Sequence, residues 1–111
     1  MPITLKHVGK SDHQLFNQIA ADVFDAPVEP DLLRRFKARP QNQLIVAVSD
    51  KVVVGQIRGV VINHPDQPME LFVTNLGVTP AFQRWGIARR LMHDLLDLGA
   101  TKGCGPVWVA K

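Results

Sequence analysis

Two β-branched runs, Leu44 to Val48 and Val52 to Ile62, are separated only by Ser49-Asp50-Lys51. Runs of that composition joined by so short a polar link read as a β-hairpin. Gly55 and Gly59 interrupt the second run and mark candidate bulges. Asn63 to Pro68 is a polar loop with two prolines, and Met69 to Val78 follows as a third long strand that Thr79-Pro80 ends. The rest of the fold has to be built around these strands.

Upstream, Ile3 to Val8 alternates like a short strand, and Gly9-Lys10 breaks it before Ser11, a helix N-cap with Gln14 three residues on. Leu15, Phe16, Ile19, Ala20 and Val23 then fit one buried face of a helix that Pro27 stops. A second helix is expected from Pro30, with Glu29 and Asp31 at its start, Arg34, Arg35, Lys37 and Arg39 toward its end, and Pro40 closing it. Leu32, Leu33 and Phe36 supply its buried stripe, and its basic residues form a solvated flank. Downstream, Ile87, Leu91, Leu95 and Leu98 share one face of a helix from about Gly86 to Leu98, with Gly99 as its stop. Gly103 to Pro106 makes a turn into a last strand, Val107 to Ala110. The sum is an α/β (α+β) chain with a mixed, mostly antiparallel sheet flanked by helices.

At 111 residues and 46% hydrophobic content, residues 1–111 are expected to form a single domain. A formal charge of +3 suits an anionic ligand and is too weak to imply nucleic acid, and the strands lack the interleaved aromatics of a nucleic-acid binder. Cys104 is the only cysteine, so neither an internal disulfide nor a cysteine-based metal site is expected. No apolar run approaches the roughly 20 residues that span a bilayer, and the N-terminus does not read as a signal peptide. No membrane partner and a cytoplasmic location are the expectations.

Gln83-Arg84-Trp85-Gly86-Ile87-Ala88 lies between the strand ending at Val78 and the helix opening near Gly86. A loop entering a helix N-terminus offers unpaired N–H groups and the positive end of the helix dipole, which together form an anion site. Gly86 and Ala88 let phosphate oxygens approach the backbone, and Arg84, Arg89 and Arg90 add positive charge. From these residues alone, an ordinary strand-to-helix turn with solvated arginines is an equal alternative.

The stretch Asn75-Leu-Gly-Val-Thr-Pro-Ala-Phe-Gln-Arg-Trp-Gly-Ile-Ala-Arg-Arg-Leu-Met resembles the signature of the GNAT N-acetyltransferase superfamily through Val78, Pro80, Gln83, Gly86 and Ala88. The flanking strands and helix fall where that fold places them, and within the family the region from Val53 to Arg90 is most similar to bacterial aminoglycoside 3-N-acetyltransferase relatives. The resemblance implies the acyl-CoA N-acyltransferase fold, ending after its fifth strand, with acetyl-CoA as cosubstrate and an amine acceptor on a small molecule or peptide. It implies that Gln83 opens a pyrophosphate cradle formed by the backbone of Arg84, Trp85, Gly86, Ile87, Ala88 and Arg89. It implies too that Met69 to Val78 splays from Val107 to Ala110, so that Leu76, Gly77 and Val78 face the pantetheine and acetyl group. A bulge at Gly77 is expected to free an N–H for the thioester carbonyl.

Acetyl transfer to an amine needs a proton acceptor, a polarised carbonyl and a stabilised thiolate. Asn75 stands where aminoglycoside relatives have an acidic residue, and it can hydrogen-bond without accepting a proton. Glu70 is the only carboxylate in the Met69 to Val78 strand, and strict alternation points it away from Asn75. His64 is of a residue type that can exchange protons in catalysis but, as a lone loop histidine, is expected in solvent, and His93 on the surface. The family's usual acid is a tyrosine beyond the fifth strand, and this sequence has none. The family's last helix and hairpin also have no residues here, so Val107 to Ala110 is expected to leave an open sheet edge that favours a homodimer. Trp108 is expected in the core. The open alternative to a working enzyme is a catalytically impaired, self-associating acetyl-CoA-binding fragment.

Overall fold

In a computed structural model of the chain, residues 2–9 and 12–109 are described. Strand β1, Thr4–His7, pairs antiparallel with β2, Asn42–Ser49. Strand β2 pairs with β3, Val52–Ile62, and β3 with β4, Glu70–Val78, both antiparallel. Helix α2, Ile87–Lys102, carries the chain across to β5, Val107–Val109, which lies parallel to β4. The sheet order is therefore β1-β2-β3-β4-β5. A parallel neighbour demands a crossover of this kind, whereas the hairpin β2-β3 closes in two residues, Asp50 and Lys51, at φ of 49° and 67°. Both residues occupy the left-handed region that suits a type I′ turn.

Each sheet face buries its own core. Ile45, Ile57, Leu71 and Val73 meet Ile87, Leu91 and Leu95 of α2 on one side. Leu44, Val46 and Val53 meet Val23 and Leu33 on the other, where Leu33 belongs to helix α1, Pro30–Lys37. The helix expected over the first apolar face is replaced by a short 3-10 segment, His13–Asn17. Ser11, its expected cap, lies outside the described residues. The chain then runs extended, and the Val53 main chain accepts from Ala20 at 2.8 Å and donates to Gln18 at 2.9 Å. These bonds to the sheet take the place of a helical ladder, while Val23 still reaches the core that its apolar character requires.

Three further expectations need correction. Leu32 is exposed and only Leu33 of the α1 stripe is fully buried. Gly99 lies inside α2, which ends at Lys102 with Gly103 as cap; the contact with Leu71, whose Cδ2 would be 2.9 Å from a Cβ at Gly99, explains a glycine there. Trp108 is not in the core: it is 52% exposed and stacks on Phe72 with centroids 6.2 Å apart. Ala110, the expected end of the last strand, lies outside the described residues. The bulges near Gly55 and Gly59 are present, with register shifts between Ala47 and Val48 and between Arg58 and Gly59.

The second of these shifts matters most for the site. Arg58 pairs with Asn75 and Gly59 with Val73, so Thr74 is the extra residue in β4. An extra residue reverses the alternation beyond it. Glu70, Phe72, Asn75 and Gly77 consequently lie on the α1 side of the sheet, and Leu71, Val73 and Val78 on the α2 side.

Candidate functional site

The loop after β4 is a 3-10 turn, Pro80–Trp85, that ends at Gly86 with φ of 73° and ψ of 16°. That left-handed conformation is open to glycine at little cost, and a Cβ built there would meet nothing within 4 Å. The main chain at Gly86 is thus bare on its outer side. Helix α2 starts at the next residue, and its first i to i−4 bond runs from the Arg90 N–H to the Gly86 carbonyl at 3.1 Å. The N–H groups of Ile87, Ala88 and Arg89 accordingly have no partner within the helix, no side chain caps them, and no acidic residue occupies the first turn.

The neighbouring side chains sort by role. Gln83 donates through Nε2 to the Val78 carbonyl at 3.2 Å, tying the loop to the end of β4. Trp85 packs against Phe82 with ring centroids 5.1 Å apart. Arg84 and Arg89 are exposed beside the loop, and Ile87 is fully buried under it. Arg90 turns away and donates to the Ile3 carbonyl at 3.2 Å, so it serves the β1 edge. Main-chain donors, two free-standing guanidinium groups and an unobstructed glycine together suit a diphosphate.

Beside this loop, β4 pairs with β5 only from Leu71 to Val73. From Asn75 to Val78 its outer edge has no strand next to it among the described residues. Leu76 is exposed there. The expected bulge at Gly77 is absent: Gly77 pairs in register with Gln56, and the irregularity sits at Thr74. What Gly77 provides is space, since a Cβ there would lie 2.2 Å from the Val23 carbonyl oxygen.

The two candidate catalytic side chains share a face because of the Thr74 bulge, against the expectation from alternation, yet they are not brought together. Five residues along a strand correspond to roughly 16 Å at about 3.3 Å per residue. Glu70 is instead mostly buried with its Oε2 3.4 Å from Nε2 of His64, whose side chain is 24% exposed and not in open solvent as expected. His93 is on the surface beside Asp97.

Asn75 belongs to a network that sequence reasoning missed. Gln56, fully buried in mid-β3, donates from Nε2 to the Val23 carbonyl at 3.1 Å and to Asn75 Oδ1 at 2.6 Å. A carbonyl can only accept, so the Val23 contact fixes which end of Gln56 donates and makes Oδ1 the acceptor of Asn75. Asn75 Nδ2 is left to donate to Asp25 Oδ2, at 3.3 Å. Beside them Arg58 lies over the Phe24 ring, 5.8 Å from its centroid. The signal was present in the sequence as two polar residues, Gln56 and Arg58, inside a β-branched run. Among the described residues no group of histidine, cysteine or carboxylate side chains could hold a metal ion, and no helix is long and apolar enough to cross a membrane.

Comparison with known proteins bears on the family and the fold. The acetyltransferase (GNAT) family matches residues 13–111. The N-alpha-acetyltransferase RimI of Mycobacterium tuberculosis is 35% identical over 98 residues, covering 86% of this chain and 61% of that protein, so the chain spans about three-fifths of that relative's length. Among solved structures, an aminoglycoside acetyltransferase from an uncultured soil metagenomic sample superposes with a TM-score of 0.82 at 17% identity, over 98% of this chain and 77% of that one. The aminoglycoside acetyltransferase AAC(6')-Iy, in complex with the bisubstrate analogue CoA-S-monomethyl-acetylneamine, gives a TM-score of 0.76 at 16% identity, over 100% of this chain and 80% of that one. At such identities the structures speak for the fold, and the family match for descent: the chain belongs to the GNAT acetyltransferase family.

Proposed function

We propose that this chain binds acetyl-CoA and carries the acetyl-transfer half of an N-acetyltransferase that acts on a primary amine. The observation that carries the reading is the bare left-handed Gly86 followed by the uncapped N–H groups of Ile87, Ala88 and Arg89. Those groups bind the pyrophosphate, and Arg84 and Arg89 add charge-assisted contacts. Acetyl-CoA supplies the acetyl group when bound. The free edge of β4 from Leu76 to Val78 orients the pantetheine, and Asn75 positions the acceptor at its inner end. Glu70, with His64 beside it, lies too far down β4 for direct proton removal and would act only through intervening water. Coenzyme A release measured against peptides and small amines tests the reading; acetyl-CoA binding with turnover of no amine would leave a cofactor-binding domain and refute the transferase half.

Self-association is a second reading with its own observation. Val107, Trp108 and Val109 of β5 are all exposed at 41–57%, so one of the sheet's two edge strands is apolar on both faces. A homodimer joined there would bury it. Sedimentation of a well-folded, strictly monomeric chain at tens of micromolar would remove that reading.

A further inference from the structure

We infer that the acceptor is an amine borne on an apolar body, which docks as its ammonium on Asp25 and gives up a proton to solvent before attacking the acetyl group, with the apolar body filling the cavity between α1 and the sheet. This rests on the transferase reading above and adds to it the class of acceptor. The cavity has a volume of about 340 Å³ and lies on the same sheet face as Asn75. Its walls are the rings of Phe16, Phe24 and Phe36 with Pro27 and Leu32. Leu32 is the most exposed large apolar residue described, at 58%, and it lines this cavity. Apolar surface left open in that way gains about 25 cal/mol per Å² when a ligand covers it.

Charge then selects the occupant. Asp25 and Glu29 line the cavity against one cation, Arg58, so an acidic pocket sits in a chain whose formal charge is +3. Arg58 is itself engaged over the Phe24 ring. Glu29, the residue before α1, makes no side-chain capping bond to that helix. Asp25, exposed at the cavity wall, accepts from Asn75, which Gln56 and the Val23 carbonyl orient. A carboxylate tied to an amide that a buried glutamine orients presents a defined oxygen to a cation. Because Asn75 stands on β4 next to Leu76 and Gly77, an ammonium on Asp25 lies at the inner end of the strand edge assigned to the acetyl group. A polar polycationic sugar would leave the three rings uncovered and its own hydroxyls unpaired against them.

The test is a titration of 2-phenylethylamine into the chain, with and without saturating coenzyme A, read by calorimetry. Ethylamine, 2-phenylethanol and neamine serve as probes of charge alone, ring alone and a polar polycation. 2-Phenylethylamine is expected to bind at least tenfold more tightly than each of the three. Asp25→Asn should weaken it about tenfold while leaving 2-phenylethanol unchanged, and Ala26→Trp, at an exposed position lining the cavity, should abolish binding. Tighter binding of neamine, equal binding of the ethylamine or phenylethanol probe, or an unaffected Asp25→Asn chain would overturn the inference. Thermal stabilisation by acetyl-CoA, recorded on the same samples, separates the two failures: its absence refutes the cofactor site, while the amine titration still decides the cavity.

Discussion

Replacing Gly77 by alanine should be among the most damaging single-methyl additions to this chain. The added Cβ would stand 2.2 Å from the Val23 carbonyl oxygen and 3.1 Å from the Val23 carbonyl carbon, both main-chain atoms that no rotamer can move. Non-bonded contacts relax at about 3.5 Å, so the Val23 segment must retreat by on the order of 1 Å. Overpacking of this kind costs about 1–3 kcal/mol. The retreat also breaks the 3.1 Å bond from Gln56 to the Val23 carbonyl, leaving a fully buried amide short of a partner at about 1–3 kcal/mol. Glycine replacement returns about 0.4–1 kcal/mol through the unfolded chain. The net loss is about 1–5 kcal/mol, which at about 4 °C per kcal/mol for a domain of this size lowers Tm by about 4–20 °C. Urea unfolding followed by circular dichroism reads the change directly. Gly105→Ala is the control, because its Cβ would meet Pro68 at an ordinary 3.5 Å. A Gly77→Ala chain within about 0.5 kcal/mol of the parent would refute the packing of the Val23 loop on β4.

Lys51 holds φ of 67° without the freedom of glycine, so Lys51→Gly should stabilise the β2-β3 turn by about 0.5–1 kcal/mol in the same urea assay; destabilisation would contradict the turn geometry. Glu70→Gln should lower kcat/KM in a coenzyme A release assay by less than about tenfold, because the carboxylate is distant from Asn75. A loss of about 10² or more is what removal of a direct general base produces, and it would place the reacting amine far lower on β4.

Local signals wrote much of this fold into the sequence. The hairpin β2-β3, strand β4 and helix α2 follow from period and turn residues, and the open turn from Gln83 to Ala88 was legible because its glycine and the helix start after it are local features. What stayed hidden depends on contacts between distant segments. Leu15 to Val23 carries a helical period, yet Val53 draws Gln18 and Ala20 into sheet bonds that no local pattern encodes. Thr74 looks like any strand residue, but as the extra residue in β4 it reverses the alternation and puts Glu70 on the face of Asn75. Gly99 reads as a stop and is a contact, because Leu71 packs against it from the sheet. Asp25 lies in an unremarkable loop 50 residues from Asn75, the partner that gives it a role.

The most direct measurement of the central claim is the melting temperature of the chain as acetyl-CoA is added, in parallel with Gly86→Val. A ligand at about 100 times its Kd stabilises the folded state by about 2.7 kcal/mol, a shift of about 10 °C here. Valine at Gly86 meets no protein atom within 4 Å of its Cβ, so beyond about 1–2 kcal/mol of left-handed strain its side chain obstructs only what approaches from outside. The prediction is a saturable rise for the parent chain and none for Gly86→Val. A parent chain unmoved at millimolar acetyl-CoA, or a Gly86→Val chain stabilised as fully as the parent, would contradict the assignment of this loop as the pyrophosphate site.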